Sequence, residues 1–126
     1  MTVKLLNELK KAKCINFSGN SYSIKSSKAL ADILTKHTNK NLFKVDFHDC
    51  FTRRSKAELK DSLEMILNSF VSKPVNELIL EANAISTVAA PALSNFMSKN
   101  ASLRILDVTN CGLGVGGTKI LVDALL

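Results

Sequence analysis

Apolar and polar residues alternate in four short stretches of the chain. These are INFSGNSY from Ile15, VDFHDCFT from Val45, LILEANAI from Leu78 and LDVTNCGL from Leu106. Each stretch reads apolar-x-apolar-x-x-(Asn or Cys), and such alternation is typical of a short β-strand with one buried face. The pattern therefore predicts four strands, each running into a turn.

The Asn or Cys of each stretch marks a repeat. Asn20, Cys50, Asn83 and Cys111 are separated by 30, 33 and 28 residues, which is a period typical of repeat proteins. An amide or a thiol inside a bend can bond backbone groups that the turn would otherwise leave unpaired. We therefore interpret these four side chains as structural.

A helical apolar stripe follows each turn. The longest consists of Leu59, Leu63, Ile66, Leu67 and Phe70, whose spacing lies on one face of a helix. Shorter stripes are Leu30, Ile33 and Leu34, then Leu93, Phe96 and Met97, and finally Leu121, Ala124 and Leu125. Val3, Leu6 and Leu9 predict another helix within residues 1–13, either an N-terminal cap or the last helix of a preceding unit.

Strand, turn and helix together match the leucine-rich repeat pattern L-x-x-L-x-L-x-x-N/C-x-L. One strand–helix unit cannot bury its own apolar face, so neighbouring units must stack. The predicted fold class is α/β: a short leucine-rich repeat solenoid of about four repeats, with a parallel concave sheet and helices on the convex side. Because no linker divides the chain, we expect one domain over residues 1–126.

Three glycines in the last repeat satisfy the spacing G-x-G-x-x-G: Gly112, Gly114 and Gly117. A dinucleotide fingerprint also needs a βαβ unit and an acidic residue about 20 positions later. Only nine residues follow Gly117, and the corresponding turns of the other repeats are not rich in glycine. We interpret these glycines as turn residues and expect no nucleotide cofactor.

The charge is unevenly distributed. The 126 residues carry a net charge of +6; residues 1–60 hold 13 Lys/Arg against 5 Asp/Glu, whereas residues 61–126 hold 4 against 6. A basic half could meet an acidic protein or a nucleic acid, and Phe43, Phe47 and Phe51 could stack on bases. The repeat register points Phe47 inward and places Phe51 just after the turn cysteine, which favours core packing over a nucleic-acid partner.

Other classes of function lack the residues that they need. Three dispersed cysteines, no C-x-x-C pair and two histidines disfavour a metal site, and reduced thiols fit the cytosol or nucleus. No apolar run approaches the roughly 18 residues of a membrane span, and no secretory signal is evident. We find no residue set for an intrinsic active site.

Three segments resemble, in order, the GTPase-activating proteins for the small GTPase Ran. VDFHDCFTRRSKAELKDSL is similar to the family's F-T-G-R segment, LILEANAISTVAAPAL to the next repeat, and VTNCGLGVGGTKILVDAL to its asparagine-bearing N-N/C-G-L-G repeat. The resemblance covers roughly residues 12–126. It implies a leucine-rich crescent in the cytoplasm, with the nuclear envelope as one location there, acting in nucleocytoplasmic transport. It also implies that the GTP and magnesium are carried by the partner, whose own glutamine orients the attacking water.

The resemblance also assigns candidate residues. It implies that Asn110 contacts the catalytic glutamine of the GTPase and that Arg54 holds the GTPase or shapes the interface, rather than inserting as an arginine finger. Lys56 and Glu58 match the lysine and glutamate that follow F-T-G-R. The alternatives without a functional role are that Asn110 is a turn asparagine that bonds its own loop and that Arg54 is a solvated arginine.

The chain also departs from the family pattern. Arg53 replaces the glycine of F-T-G-R, and Glu81 carries an acidic group one position before the family's aspartate; both remain candidate partner contacts. The predicted array is short and ends in apolar ALL, which suggests a fragment, a divergent protein or self-association through exposed repeat ends.

Two functions therefore stay open. The first is a Ran GTPase activator, which requires Arg54 and Asn110 on the same rim. The second is a non-catalytic adaptor that binds a protein on its concave face.

Overall fold

The computed structural model describes residues 3–37 and 40–126, except for the side chains of residues 3, 5 and 6. The helices are α1 (Val3–Lys11), α2 (Ile24–His37), α3 (Lys56–Asn68), α4 (Ser86–Lys99) and α5 (Gly114–Leu125). The strands are β1 (Cys14–Asn16), β2 (Lys44–Asp46), β3 (Glu77–Ile79) and β4 (Ile105–Asp107). The helix expected within residues 1–13 is present as α1, although the predicted stripe side chains of Val3 and Leu6 lie outside the described residues.

The four strands form one parallel sheet in the order β1-β2-β3-β4. Their middle residues are aligned across the sheet: Ile15, Val45, Leu78 and Leu106. Each strand is followed by a helix, so the chain is an α/β protein built from sequential strand–turn–helix units. The four strands predicted from the apolar alternation are confirmed.

The core lies between the sheet and the helices. Val45 and Leu78 are at most 1% exposed, and they share the core cluster with Leu63 and Ile66 of α3. Because side chains alternate across a strand, the residues that flank Val45 and Leu78 lie on the opposite, open face of the sheet. The predicted inward position of Phe47 is confirmed, and Phe51 is also buried, whereas Phe43 is half exposed.

A left-handed residue recurs in the turn after every strand. It stands one position before the repeated Asn or Cys: Gly19 (φ 84°), Asp49 (φ 50°), Ala82 (φ 60°) and Asn110 (φ 54°). This backbone conformation reverses the chain tightly, and it lets the following Asn or Cys of the later turns point inward. The four turns are therefore structurally equivalent.

The inward Asn and Cys side chains join consecutive turns. The Asn83 Nδ2 donates to the carbonyl oxygens of Phe47 (2.8 Å) and Leu80 (2.9 Å), and its Oδ1 accepts from the backbone N–H groups of Cys50 (2.9 Å) and Phe51 (3.2 Å). This satisfies the buried amide completely.

The turn cysteines Cys50 and Cys111 also bond the preceding unit. The Cys50 thiol donates to the carbonyl of Phe17, and the Cys111 thiol donates to that of Leu80. Asn20 differs, because it follows the first described strand and its Nδ2 donates to the carbonyl oxygens of Phe17 and Ser18 in its own loop.

Each helix packs against the helix of the next unit along the chain. Together with the in-register sheet, this sequential packing is consistent with a repeat solenoid. No helix in the described residues is both long and apolar enough to cross a membrane.

Candidate functional site

Arg54 and Asn110 lie at the same edge of the sheet. Both follow the carboxyl ends of parallel strands, Arg54 after β2 and Asn110 after β4. We call this the carboxyl edge, formed by the turns after β1, β2, β3 and β4. Since β3 separates β2 from β4, two strand spacings, or about 10 Å, lie between those strands. The expected common rim is therefore present.

The guanidinium of Arg54 is held by neighbouring groups. Its Nε donates to Ser21 Oγ (3.2 Å), one terminal nitrogen donates to the Ser21 carbonyl (3.2 Å), and the other meets Glu58 Oε1 at 3.3 Å. Ser21 in turn donates its hydroxyl to the Thr52 carbonyl at 2.8 Å. Arg54 therefore ties the β2 turn to the β1 turn, and its side chain reaches away from β4.

Asn110 has the opposite character. It is exposed, has a left-handed backbone, and its side chain forms no hydrogen bond within the described residues. The alternative of a turn asparagine that bonds its own loop is therefore not what the structure contains. The amide is available to a partner at the carboxyl edge.

The remaining predicted contact residues surround Arg54 or follow β3. Arg53 and Lys56 are exposed cations, and Arg53 has a φ of 63°. Glu58 is ion-paired with Arg54, one turn later on α3. Its backbone N–H bonds the side chain of the helix N-cap Ser55 at 3.2 Å. Glu81 is partly buried after β3, and its carbonyl accepts from the Asp49 N–H at 3.0 Å.

The carboxyl edge also holds an Asp46–His48 pair, which the repeat pattern does not predict. Asp46 Oδ1 accepts from the backbone N–H of His48 (2.9 Å) and lies 2.8 Å from its Nδ1. This hydrogen bond and the carboxylates of Asp46, Glu81 and Asp49 raise the pKa of His48 above its usual value. The available signal was D-x-H at a strand end, where an aspartate commonly bonds the backbone two residues on.

The turn cysteines do not have reactive thiols. Burial, reinforced by the charges of Asp46 and Asp49, raises the pKa of Cys50 to about 12. Burial also raises the pKa of Cys111. Because the thiolate is the nucleophile, both thiols remain protonated and inert at neutral pH.

Ran GTPase-activating proteins are among the proteins similar to this chain. The chain is 25% identical over 127 residues to Ran GTPase-activating protein 1 of Xenopus laevis, covering 98% of this chain and 22% of that protein. It is 30% identical over 122 residues to Ran GTPase-activating protein 2 of Caenorhabditis elegans, covering 94% and 12%. It is 29% identical over 112 residues to Ran GTPase-activating protein 1 of Saccharomyces cerevisiae, covering 86% and 28%.

These similarities support the Ran GTPase-activating protein family for nearly the whole chain, which spans less than a third of the length of each of these relatives. No protein-family model matches the chain.

Proposed function

We propose that this chain promotes GTP hydrolysis by a small GTPase of the Ran type through protein–protein contact at the carboxyl edge. The observation that carries the proposal is the free, exposed amide of Asn110 at the same edge as Arg54. The names of the three relatives support the choice of partner. The partner carries GTP and magnesium, and this chain needs no cofactor of its own.

Asn110 and Arg54 have distinct roles in this proposed activity. Asn110 contacts the GTPase glutamine that orients the attacking water, as its free amide allows. Arg54 shapes the docking surface, because Ser21 and Glu58 already engage its guanidinium. Arg53, Lys56, Glu58 and Glu81 contribute charges to the interface.

We also propose a repeat type and a cellular location for the protein. The chain is one leucine-rich repeat domain over residues 1–126, with repeats centred on Asn20, Cys50, Asn83 and Cys111. The alternation, the turn geometry and the inward Asn and Cys side chains support this type. We propose a cytoplasmic location, which includes the cytoplasmic side of the nuclear envelope, on the basis of the family resemblance.

A single-turnover assay of GTP hydrolysis by Ran tests the proposed activity. Asn110→Gly removes the amide without straining the left-handed backbone, and Asn110→Asp keeps the shape but removes the N–H donor. Both variants should lower the maximal acceleration by about 10²-fold, the order expected when one positioned group is lost. Arg54→Ala should instead raise the chain concentration needed for half-maximal acceleration.

The matched control is Asn68→Ala, which removes an exposed asparagine at the end of α3, away from the carboxyl edge. It should accelerate hydrolysis like the unmodified chain. If a folded chain gives no acceleration, the activator proposal is wrong.

An adaptor function is the second candidate, favoured by the internal hydrogen bonds of Arg54. A non-catalytic protein would bind its partner on the open face of the sheet without changing hydrolysis. Binding to GTP-loaded Ran without acceleration, and without any effect of Asn110→Gly, would select this alternative.

A further inference from the structure

Ser21 lies in the β1 turn, yet its hydrogen bonds join it to the β2 turn. Its hydroxyl donates to the Thr52 carbonyl at 2.8 Å, and the same oxygen accepts from Arg54 Nε at 3.2 Å. The Ser21 carbonyl accepts from a terminal nitrogen of Arg54, also at 3.2 Å. A hydroxyl has one proton and two lone pairs, so a hydroxyl whose proton is bound to Thr52 presents an acceptor to Arg54. Ser21 is therefore an oriented acceptor for the guanidinium.

These contacts fix both the position and the plane of the Arg54 guanidinium. The group is a rigid, planar fork of N–H donors. Ser21 accepts from Nε and from one terminal nitrogen, and Glu58 Oε1 lies 3.3 Å from the other. Within the described residues each terminal nitrogen retains one unbonded N–H, and the side chain is 28% exposed. The fork is therefore held in place but stays open to a partner.

Ser21 and Glu58 hold Arg54 in different ways. Glu58 stands one helical turn further along the same unit, and its side chain is 31% exposed. An ion pair of this kind contributes little, because water screens it and two long side chains must be ordered to form it. Ser21 belongs to the preceding unit, 33 residues earlier, and it offers two acceptors from a tight turn. The contact with Ser21 therefore sets the direction of the guanidinium, and Glu58 supports it.

We propose that Ser21 is a positioning residue for Arg54 in the proposed GTPase activation, on which this inference rests. A side chain that is already ordered in the free protein loses less conformational entropy on binding than a mobile one. Ser21 therefore increases the affinity of the chain for the GTPase without taking part in hydrolysis. Its loss should raise the chain concentration for half-maximal acceleration roughly fivefold, the order expected for ordering one long side chain, and leave the maximal acceleration unchanged.

NMR of the chain alone tests whether Ser21 holds Arg54, without any GTPase. The Nε–H of Arg54 should exchange slowly with water in the unmodified chain, and Ser21→Ala should abolish this protection. Ser21→Thr keeps the hydroxyl and should preserve it. An Arg54 Nε–H that is unprotected in the unmodified chain, or equally protected in Ser21→Ala, would overturn the inference.

Single-turnover hydrolysis of GTP by Ran tests the effect on docking. Ser21→Ala should raise the half-maximal concentration, and Ser21→Thr should behave like the unmodified chain. In an Arg54→Ala background, Ser21→Ala should have no further effect, because Ser21 acts through Arg54. A general loss of stability would not depend on Arg54 in this way, and circular dichroism establishes that each variant is folded.

The matched control is Ser98→Ala, which removes an exposed hydroxyl that bonds Asn95 of its own helix, α4. It should leave the half-maximal concentration unchanged. If the unmodified chain accelerates hydrolysis and Ser21→Ala does so equally well, the positioning role is wrong while the activator proposal stands. An equal effect of Ser21→Ala with and without Arg54 would also overturn the positioning role, since Ser21 would then act directly. A folded chain without acceleration would refute the activation itself, and with it the docking role of Ser21.

Discussion

The turns after β2 and β4 follow the same plan but occupy different surroundings. The β2 turn (residues 47–55) and the β4 turn (residues 108–113) each have a left-handed residue, Asp49 or Asn110, before an inward cysteine. The β2 turn lies between the turns after β1 and β3, whereas the β4 turn has a described neighbour on one side only.

The two turns also differ in which side chains are bonded. In the β2 turn, Arg54 is bonded to the preceding turn through Ser21, and Cys50 is bonded to the following turn through Asn83. In the β4 turn, Asn110 is left without a side-chain partner in the described residues. One fixed arginine and one free amide suit different tasks: the first shapes a surface, and the second can adjust to a bound partner.

Removing the Asn83 amide should have the largest effect on folding stability. Asn83 lies in the turn of the next unit, and its side chain bonds the backbone of the β2 turn. Asn83→Ala leaves two buried N–H groups and two carbonyls without this amide, and should lower the free energy of unfolding by about 3 kcal/mol. Urea unfolding followed by circular dichroism measures it.

Asn20→Ala is the matched control for that variant. Its exposed amide bonds only its own loop, so the loss should stay below about 1 kcal/mol. Equal losses in the two variants would contradict the role that we assign to the inward amide.

A second left-handed residue follows the turn cysteine in both units. Substitutions at this position should change folding stability less than Asn83→Ala does. Arg53 (φ 63°) and Gly114 (φ 60°) occupy equivalent positions, three residues after their turn cysteines. A Cβ on Gly114 meets no atom within 4 Å, so only the backbone conformation matters there. Arg53→Gly should raise the free energy of unfolding by about 1 kcal/mol and Gly114→Ala should lower it by a similar amount. Thermal unfolding of both variants measures the pair, and a change of the same sign in both would refute the equivalence.

The smallest expected effects are changes of folding stability with pH. His48, after β2, should stabilise the folded state towards low pH, whereas Asp107, at the end of β4, should stabilise it towards higher pH. The raised pKa of His48 means that its ion pair with Asp46 stabilises the folded state below pH 6.5, and that this contribution is lost as the pH rises through the folded-state pKa. Hydrogen bonds from Thr109 lower the pKa of Asp107, so this contribution is present above pH 3.8 and is lost as the pH falls through the folded-state value.

An NMR titration measures both pKa values. Asp46→Asn should move the pKa of His48 down towards 6.5 and leave that of Asp107 unchanged. A His48 pKa that does not respond to Asp46→Asn would contradict the assigned ion pair.

Much of the fold could be predicted because its signals are periodic. The alternation around Val45 and Leu78 identifies strands, and the regular position of Asn83 identifies an inward turn residue. The common edge of Arg54 and Asn110 follows from the rule that parallel strands end together. These features depend on local patterns that the chain repeats four times.

The side-chain partners at the edge could not be predicted in the same way. Ser21 is 33 residues before Arg54, and their contact depends on how closely two turns stack. The left-handed backbone at Arg53 could not be predicted from the sequence either, because arginine has no preference for that conformation. Contacts between repeats and strained single residues are set by packing, which a repeat pattern does not specify.

The packing of each helix on the next one also limits how far apart in the sequence contacting residues lie. The strands are paired at spacings of 28 to 33 residues, and the helices contact only their sequential neighbours in the described part of the chain. Loop closure during folding is therefore confined to one repeat length at a time. Any adjacent pair of units can nucleate the structure, and the pair formed by the β2–α3 and β3–α4 units, which holds most of the buried side chains, is the natural starting point.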